Sequence, residues 1–306
     1  MKILRLGTRQ SALALAQSGQ VAAALMKLHP GVRVELAPIV TRGDREKGDL
    51  AKIGGKGLFT QELEAGLLDG TFDLAVHSLK DLPVTLPEGL VIAAYPERAD
   101  PRDVMVSEVA SDLDSLEPGA VLMTGSLRRR ALALICRPDV EVEPLRGNVD
   151  TRLRKWRERG HAGVILAASG LARLAMEKPE LNELPMHPLD PEIMVPAPGQ
   201  GILALEVKAG SPAEEICAAF NHPPTQRAAA AERAIVSAFG GDCTLPLAAW
   251  AREEEAGLHL TAVLATPDGK RLVRASAVGE GAVESCIDEM RNAGADEILT
   301  LIANAP

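Results

Sequence analysis

The polar and apolar positions of the first 210 residues alternate between a strand period and a helix period. A short apolar run at 3–6 predicts a strand, and Ser11 can cap a helix whose apolar positions continue at helical spacing to Leu28. The same alternation predicts further strands near 32–40, 74–76, 104–106, 121–123, 140–142, 164–167 and 202–207, and further helices near 59–70, 127–136, 149–159 and 171–176. Strands that alternate with helices favour an α/β fold with a mostly parallel sheet covered on both faces.

The last part of the chain has a different order of elements. A helix at 225–239 is followed by three strands and two helices, near 247–250, 258–265, 272–278, 283–291 and 297–303. Strands grouped before helices predict a separate small α+β domain. Two proline-rich passages, 83–101 and 185–198, are predicted to be connections.

The composition excludes several classes of partner. The chain of 306 residues has 33 Lys and Arg against 42 Asp and Glu, and its net charge of −9 argues against general binding to nucleic acid or to an anionic membrane. It has one Tyr, two Trp and four Phe, too few for a surface that stacks single-stranded bases. No apolar run approaches a membrane span, and charges occupy the N-terminal segment where a signal peptide needs its apolar stretch. We therefore expect a cytoplasmic protein.

Many of the cations lie in short segments punctuated by Gly, Ser and Thr, and not on helix faces. These segments are 7–11, 41–44, 52–57, 77–81, 124–130 and 145–148. Glycine and small hydroxyl residues let backbone N–H groups approach a ligand, and a neighbouring Arg or Lys adds a charge-assisted hydrogen bond. The repetition predicts one cleft that holds several anionic groups.

Two glycine-rich segments do not match the nucleotide-binding motifs that they suggest. The segment 54–57 has Leu50 where a P-loop requires Gly, and Gly57 where it requires Ser or Thr, which leaves an ordinary flexible turn as the alternative to a functional loop. The Gly-Gln-Gly at 199–201 follows a proline-rich segment and precedes a strand. We interpret it as a tight turn and not as a dinucleotide fingerprint.

Two charged candidates each have an ordinary structural alternative. The three arginines at 128–130 either form a solvated helix face or surround a bound anion, since cations in the first turn of a helix are otherwise unfavourable. Asp81 either shapes the turn before Pro83 or is a carboxylate held among cations, placed to stabilise a cationic intermediate. His77 is interpreted as a structural histidine at the end of a strand.

Among the four cysteines, Cys243 differs from the others in its surroundings. Cys136, Cys217 and Cys286 lie in helical apolar patterns and are predicted to be small core residues. Cys243 lies in a glycine turn just before a strand, where it is either a buried loop cysteine or a thiol presented to a cleft. Their wide spacing, without a C-x-x-C pair, indicates neither a disulfide framework nor a zinc site, and we expect no metal.

Eight motifs, in order along the whole chain, resemble the porphobilinogen deaminase (hydroxymethylbilane synthase) family. They are Thr-Arg-Gln-Ser (8–11), Val-Thr-Arg-Gly-Asp (40–44), Gly-Gly-Lys-Gly-Leu-Phe (54–59), Val-His-Ser-Leu-Lys-Asp-Leu-Pro (76–83), Ser-Leu-Arg-Arg (126–129), Leu-Arg-Gly-Asn-Val (145–149), Pro-Gly-Gln-Gly (198–201) and Gly-Gly-Asp-Cys (240–243). Each motif alone is modest, whereas eight in register are highly specific.

The resemblance implies three domains, of which two are sheet-based and similar to type II periplasmic binding proteins. Domain 1 would comprise 1–96 with 197–213, domain 2 would comprise 101–193, and domain 3, which carries the cofactor cysteine, would comprise 216–306. The resemblance also implies a monomeric transferase. It would add four porphobilinogen molecules in turn to a dipyrromethane cofactor, each with loss of ammonia, before water releases hydroxymethylbilane.

The resemblance further implies roles for individual residues. Asp81 matches the catalytic aspartate of the family, a mobile loop corresponds to about 45–59, and Cys243 would hold the dipyrromethane through a thioether. The residues that would bind the cofactor are Lys80, Ser126, Arg128, Arg129 and Arg146, and those that would bind substrate are Arg9, Ser11, Lys52, Lys56, Arg152 and Arg173. Arginine suits this task because it can bind a carboxylate through two parallel hydrogen bonds.

The chain departs from the family pattern at three positions. Gly125 stands where the family has the first Ser of Ser-Ser-Leu-Arg-Arg, so one hydroxyl contact is lost while Ser126 remains. Asp242 and Thr244, on either side of the cysteine, stand where Gly and Gln are common. None of these changes removes the thiol.

Two other functions compete with the transferase. A non-catalytic anion-binding protein of the two-lobed periplasmic type explains the α/β halves and the cationic loops, but neither Cys243 nor the third domain. A phosphate-ester enzyme needs a phosphate loop or metal-binding carboxylates, and the sequence shows neither.

Overall fold

The computed structural model of the chain describes residues 2–41, 43, 60–240 and 245–304. Its strands are β1 (Lys2–Arg9), β2 (Val32–Ile39), β3 (Leu74–Ser78), β4 (Leu90–Ala94), β5 (Asp103–Val106), β6 (Val121–Thr124), β7 (Glu141–Pro144), β8 (Gly163–Ala167), β9 (Met186–Pro188), β10 (Leu203–Lys208), β11 (Leu247–Glu254), β12 (Gly257–Ala265) and β13 (Leu272–Val278). Its helices are α1 (Ala12–Leu28), α2 (Gln61–Leu68), α3 (Leu127–Cys136), α4 (Val149–Arg159), α5 (Ala168–Ala175), α6 (Pro212–Ala218), α7 (Pro223–Ala238), α8 (Ala282–Asn292) and α9 (Ala295–Ala303), with short 3-10 helices at Leu79–Asp81 and Pro179–Glu183. None of the helices in these ranges is both long and apolar enough to cross a membrane.

The chain groups into two compact units, each built from two separate stretches. The first unit is Met1–Ala99 with Ile202–Arg227, and the second is Asp100–Gly201 with Ala228–Pro306. The division into three domains stays a prediction.

The first unit contains a five-stranded sheet of order β2-β1-β3-β10-β4. β1 is parallel to β2 and β3, whereas β10 is antiparallel to β3 and β4, so β10 alone in this sheet runs against the others. α1 and α6 pack on one face through Val21, Leu25 and Cys217, and α2 packs on the other through Leu63 and Leu67. The prediction of a mostly parallel sheet covered on both faces is therefore confirmed, with one antiparallel strand inserted.

Ser11 begins α1 as the sequence predicts. Its Oγ accepts a hydrogen bond from the backbone N–H of Ala14 at 3.3 Å, which satisfies one donor of the first turn. The helix ends at Leu28, and Pro30, two residues further on, lacks the N–H that another turn would need. Because Arg9 ends β1 just before this cap, the cap also fixes where the chain leaves the sheet.

The second unit contains a sheet with the same internal plan. Its order is β7-β6-β8-β5-β9, in which β6 is parallel to β7 and β8, and β5 is antiparallel to β8 and β9. In each sheet the antiparallel strand follows a stretch of chain that belongs to the other unit. The two sheets are thus the two α/β halves that the sequence predicts.

The end of the chain forms an antiparallel sheet of three strands, β11-β12-β13. One face packs against α7, α8 and α9 around Ile235, Leu260, Cys286 and Ile298. From the other face, Ala248 and Val263 pack into the core of the β6–β8 sheet, which lies in the same compact unit. The prediction that strands and helices of an α+β type follow the α/β part of the chain is therefore confirmed.

Three elements lie in segments where the sequence analysis predicted connections or nothing regular. β4 lies inside the first proline-rich passage, β9 lies inside the second, and α6 begins with Pro212 at its first position. Proline is tolerated at the first turn of a helix, where its missing N–H would have no partner. β4 and β9 are short strands whose pairing is with β10 and β5, and those partners are distant in sequence.

Candidate active site

In the first unit, four predicted site residues lie at the carboxyl ends of two adjacent parallel strands. Arg9 ends β1 and Ser11 follows it, while Lys80 and Asp81 lie in the 3-10 helix directly after β3. Adjacent parallel strands end at the same edge of a sheet, the edge at which α/β proteins bind ligands. The side chain of Asp81 is exposed at this edge.

A contact from α1 helps to hold the end of β3. Gln17 Nε2 donates a hydrogen bond to Ser78 Oγ at 2.9 Å, and Ser78 is the last residue of β3. The backbone N–H of Leu79 donates to the carbonyl oxygen of Ile202 at 3.0 Å. The turn that carries Lys80 and Asp81 is therefore attached both to a helix and to the chain entering β10.

In the second unit, the predicted residues lie at the carboxyl ends of three adjacent parallel strands. Ser126 follows β6, Arg146 and Arg152 follow β7, and Arg173 lies on the helix after β8. Ser126 Oγ accepts from the N–H of Arg129 at 3.4 Å and so caps α3. The ends of β6 and β7 thus bring Ser126, Arg146 and Arg152 to one edge, and Arg173 lies in the last turn of the helix that follows β8.

The loop between β7 and α4 has its own cap and its own arginine contact. Asn148 Oδ1 accepts from the N–H of Thr151 at 2.9 Å and caps α4. Arg152 Nε donates to the carbonyl oxygen of Gly147 at 2.7 Å, and Arg146 is exposed in the same loop. This helix start therefore offers backbone N–H groups together with two guanidinium groups, which suits an anion.

Gly125 has a structural role that the sequence comparison with the family pattern did not suggest. A Cβ atom at this position would overlap the carbonyl oxygen of Leu145, an atom of the backbone. The N–H of Leu145 also donates to the carbonyl oxygen of Thr124 at 3.0 Å. The missing hydroxyl is therefore accompanied by a close approach of the loop that carries Arg146.

Arg173 is a partly buried cation that has no acidic partner within the described ranges. Its Nη2 donates to the carbonyl oxygen of Gly201 at 2.8 Å, and among the described residues it forms no ion pair. Burial lowers the pKa of this guanidinium to about 10. A desolvated cation favours a nearby anion, because the opposite charge compensates for the hydration that burial removes.

Arg128 and Arg129 lie buried in α3 and share one carboxylate, that of Asp103. Arg128 Nη1 lies 2.7 Å from Asp103 Oδ2, and Arg129 Nε donates to Asp103 Oδ1 at 3.0 Å. Gln200 Nε2 donates to the same Oδ1 at 2.8 Å. Burial opposes ionisation of Asp103, but the charges of Arg128 and Arg129 outweigh it and hold the pKa of that carboxyl well below its usual range.

This cluster shows what the sequence analysis missed. The solvated helix face that was one alternative for 128–130 is wrong for Arg128 and Arg129, which are 3% and 5% exposed. Asp103, which is fully buried, had no local signal, because it is 25 positions from Arg128 in the sequence. The assignment of both arginines to the cofactor stays a prediction.

Some of the remaining predicted site residues and cysteines lie outside the residues that the structure describes. Cys243, with its neighbours Asp242 and Thr244, lies outside the described residues, and so do Lys52, Lys56 and the predicted mobile loop at 45–59. Of the other cysteines, Cys217 and Cys286 are fully buried, which raises the pKa of their thiols to about 12 and about 11. Burial also raises the pKa of Cys136. The prediction that Cys217 and Cys286 are core residues is confirmed, and Cys136 packs at the border of a core.

The fold and these edges define an α/β protein with cations at the carboxyl ends of its parallel strands, the edge at which proteins of this class bind ligands. Two family models match the chain: "Porphobilinogen deaminase, dipyromethane cofactor binding domain" over residues 4–215 and "Porphobilinogen deaminase, C-terminal domain" over residues 226–292. The chain belongs to the porphobilinogen deaminase family.

Curated relatives with the name porphobilinogen deaminase agree with this assignment. The relative from Paraburkholderia phytofirmans is 46% identical, over 90% of this chain and 79% of the relative. The relative from Thermus thermophilus is 45% identical over 92% and 91%, and that from Moorella thermoacetica is 44% identical over 97% and 95%. Among solved structures, a putative methionine-binding lipoprotein from Bacillus subtilis is similar over 72% of this chain and 90% of that chain, with 12% identity and a TM-score of 0.43. That likeness is too weak to add to the topology described above.

Proposed function

We propose that this chain is a transferase that joins four porphobilinogen molecules head to tail with loss of ammonia and then hydrolyses the product to release hydroxymethylbilane. The observation that carries this proposal is the match of both family models, in order, over 4–215 and 226–292. It favours the transferase over a non-catalytic anion-binding protein or a phosphate-ester enzyme. We further propose that the enzyme acts as a cytoplasmic monomer, in keeping with its net charge of −9.

The described residues fit the dipyrromethane cofactor of the family. A dipyrromethane made from two porphobilinogens carries two acetates and two propionates, and supplies the pyrrole end to which substrate is joined. Arg146, assigned to the cofactor, follows β7 and offers an exposed guanidinium group for such a carboxylate. Arg152 and Arg173, assigned to substrate, offer guanidinium groups for the carboxylates of added porphobilinogens, and Arg173 is desolvated and forms no ion pair within the described residues.

We propose that Cys243 holds the cofactor through a thioether. A nucleophilic cysteine needs access to the thiolate form, and the other three thiols have pKa values raised by burial. They are therefore poor candidates for attachment. Cys243 has the flanking glycines of the family motif on its N-terminal side.

In the first unit, Asp81 is proposed to stabilise the cation that forms when porphobilinogen loses ammonia. Its carboxylate is exposed at the carboxyl edge of the sheet, and Lys80, Arg9 and Ser11 lie at the same edge. A fixed carboxylate aimed at developing positive charge lowers the barrier and can take up or return a proton. Arg9 and Ser11 would hold the acetate and propionate of the incoming substrate, and Lys80 would hold a carboxylate of the cofactor. From the undescribed segment, Lys52 and Lys56 are proposed to join them.

Intact mass spectrometry of freshly purified protein tests the cofactor and its attachment. We expect a mass excess of two linked pyrrole units and a colour with an aldehyde reagent for pyrroles. Cys243→Ser should remove both, whereas the matched variant Cys136→Ser should retain both. A folded, active preparation with the bare-chain mass would refute the covalent cofactor, and a folded preparation that does not consume porphobilinogen would refute the transferase.

A further inference from the structure

Three buried titratable side chains that the proposed reaction does not use lie together in the first unit. Glu64 on α2, His77 on β3 and Glu206 on β10 are 7%, 6% and 0% exposed. His77 Nε2 lies 3.0 Å from Glu206 Oε2. The antiparallel register pairs His77 with Ala204, two positions before Glu206, so both side chains leave the same face of the sheet. We call these three residues the buried triad.

The surroundings of the buried triad are apolar, which makes its charges costly. The core under α2 is formed by Leu63, Leu67, Phe72, Ala75 and Leu90. Among the described residues, no hydrogen-bond partner is found for either carboxylate oxygen of Glu206 or for His77 Nε2, and these two side chains approach each other to 3.0 Å. A carboxylate buried without compensation is strongly unfavourable. The pair therefore constrains β3 and β10 to the one arrangement in which the two groups meet.

Glu64, the third residue of the buried triad, lies on helix α2, which packs on the sheet. Burial raises the pKa of this carboxyl, the hydrogen bond with Thr60 opposes the rise, and the charge of Glu206 adds to it. Burial and the nearby Glu206 both oppose ionisation of this carboxyl, whereas Thr60 and His77 favour it. Thr60, which is 2% exposed, immediately precedes the first residue of α2.

The position of the triad along the chain links it to the reaction. His77 is the residue before Ser78, where β3 ends and the 3-10 helix with Lys80 and Asp81 begins. The hydrogen bond from Leu79 to Ile202 ties the same turn to the chain entering β10. Movement of β3 against β10 would therefore displace Asp81.

We propose that His77 and Glu206 are positioning residues for Asp81. Their 3.0 Å contact fixes the end of β3 against β10 and so holds the turn of Lys80 and Asp81 at the edge of the sheet. A buried pair of ionisable side chains contributes little net stability compared with apolar residues of the same volume, so the contribution of this pair is to geometry. The predicted effect on the catalytic rate rests on the proposed function, whereas the predicted effect on the position of residues 79–82 does not.

The test compares Glu206→Gln and His77→Gln with Leu67→Val, which perturbs the packing of the same core without touching a charge. Hydrogen–deuterium exchange is followed in the peptide that contains 79–82, and kcat and KM are measured with porphobilinogen. In both charge variants we expect faster exchange of that peptide and a fall in kcat of about tenfold to a hundredfold, because a misplacement of about 1 Å can cost that much. KM should change by less than about threefold, since substrate carboxylates still meet their cations.

The outcomes separate this proposal from the proposed function. Unchanged exchange of the 79–82 peptide in folded Glu206→Gln would overturn the positioning role, and so would an equal acceleration in Leu67→Val. If Glu206→Gln does not fold, His77→Gln, which leaves the backbone and volume similar, decides the question by the same two measurements. If wild-type protein does not turn over porphobilinogen, the transferase fails while the exchange experiment still tests the triad.

Discussion

Replacing Asp103 with Asn tests whether one carboxylate holds the two buried arginines of α3. The side chain is fully buried and accepts from Arg128, Arg129 and Gln200 at 2.7 to 3.0 Å. Asparagine keeps the volume but leaves two guanidinium groups buried without a counter-charge. Removing one partner of a buried ion pair costs about 3–5 kcal/mol, and we expect a loss of that size for Asp103→Asn.

Thermal and urea unfolding followed by circular dichroism measure this loss. In a unit of 150–250 residues each kcal/mol lowers Tm by about 2–4 °C, so the expected fall is roughly 6–20 °C. The matched control is Asp139→Asn, because Asp139 pairs with Arg137 at the surface and its loss should be small. A fall in Asp103→Asn no larger than in Asp139→Asn would refute the reasoning.

The contacts of Asp103 with Arg128 and Arg129 also predict how the free energy of unfolding depends on pH. The pKa of Asp103 is lowered in the folded state from an ordinary value of 3.8. A lowered pKa contributes stability that is fully present above the unfolded value and is lost as pH falls through the folded one. The difference in stability between wild type and Asp103→Asn should therefore be constant near neutral pH and shrink below about pH 4. A difference that grows on acidification would contradict this assignment.

Two further substitutions test the candidate site. Gly125→Ala should destabilise the protein by about 1–3 kcal/mol, the usual cost of overpacking, because a Cβ atom there meets the carbonyl oxygen of Leu145. The control is Gly31→Ala, where a Cβ atom meets nothing within 4 Å. Equal Tm values for the two variants would contradict the close approach at Gly125. Asp81→Asn should lower kcat by about 10²-fold or more, the scale for losing one group aimed at transition-state charge, and leave KM within about threefold. Steady-state kinetics measures this, with Asp73→Asn as the control, because Asp73 pairs with Arg5 at the surface. A near-normal kcat for Asp81→Asn would contradict the proposed role of Asp81.

The parts of the fold that the sequence predicted are those fixed by local signals. α3 and α4 begin after Ser126 and Asn148, and their observed bounds equal the predicted ones, because a cap and an apolar stripe lie within one short segment. The antiparallel strand in each sheet could not be predicted in this way. β10 and β5 pair with strands far away in sequence, and the periodicity of a strand does not specify its partner or direction.

The candidate site shows the same division between local and distant information. The motifs at 8–11, 76–83, 126–129 and 145–149 identified segments at the carboxyl ends of strands, because each motif is a contiguous segment of the chain. The sequence did not indicate Asp103, Glu206 or Glu64, because each of them interacts with a residue on a different strand or helix that is distant in sequence. A buried carboxylate in an otherwise apolar strand, such as Glu206 in β10, was the one available signal for such a contact.

Asp103 also changes how the binding of carboxylates should be divided among the arginines. α3 carries three arginines, and the negative charge of Asp103 offsets one of the two buried guanidinium groups, so Arg128 and Arg129 together present one net positive charge and not two. Arg173, by contrast, has no acidic partner among the described residues, and its desolvation is relieved by an anion. Each added porphobilinogen brings two more carboxylates, more than the one net charge of Arg128 and Arg129 balances. Under the proposed function, the exposed Arg146 together with Arg152 and Arg173 would therefore carry most of the charge compensation on this unit, while the contacts with Asp103 hold Arg128 and Arg129 in fixed orientations.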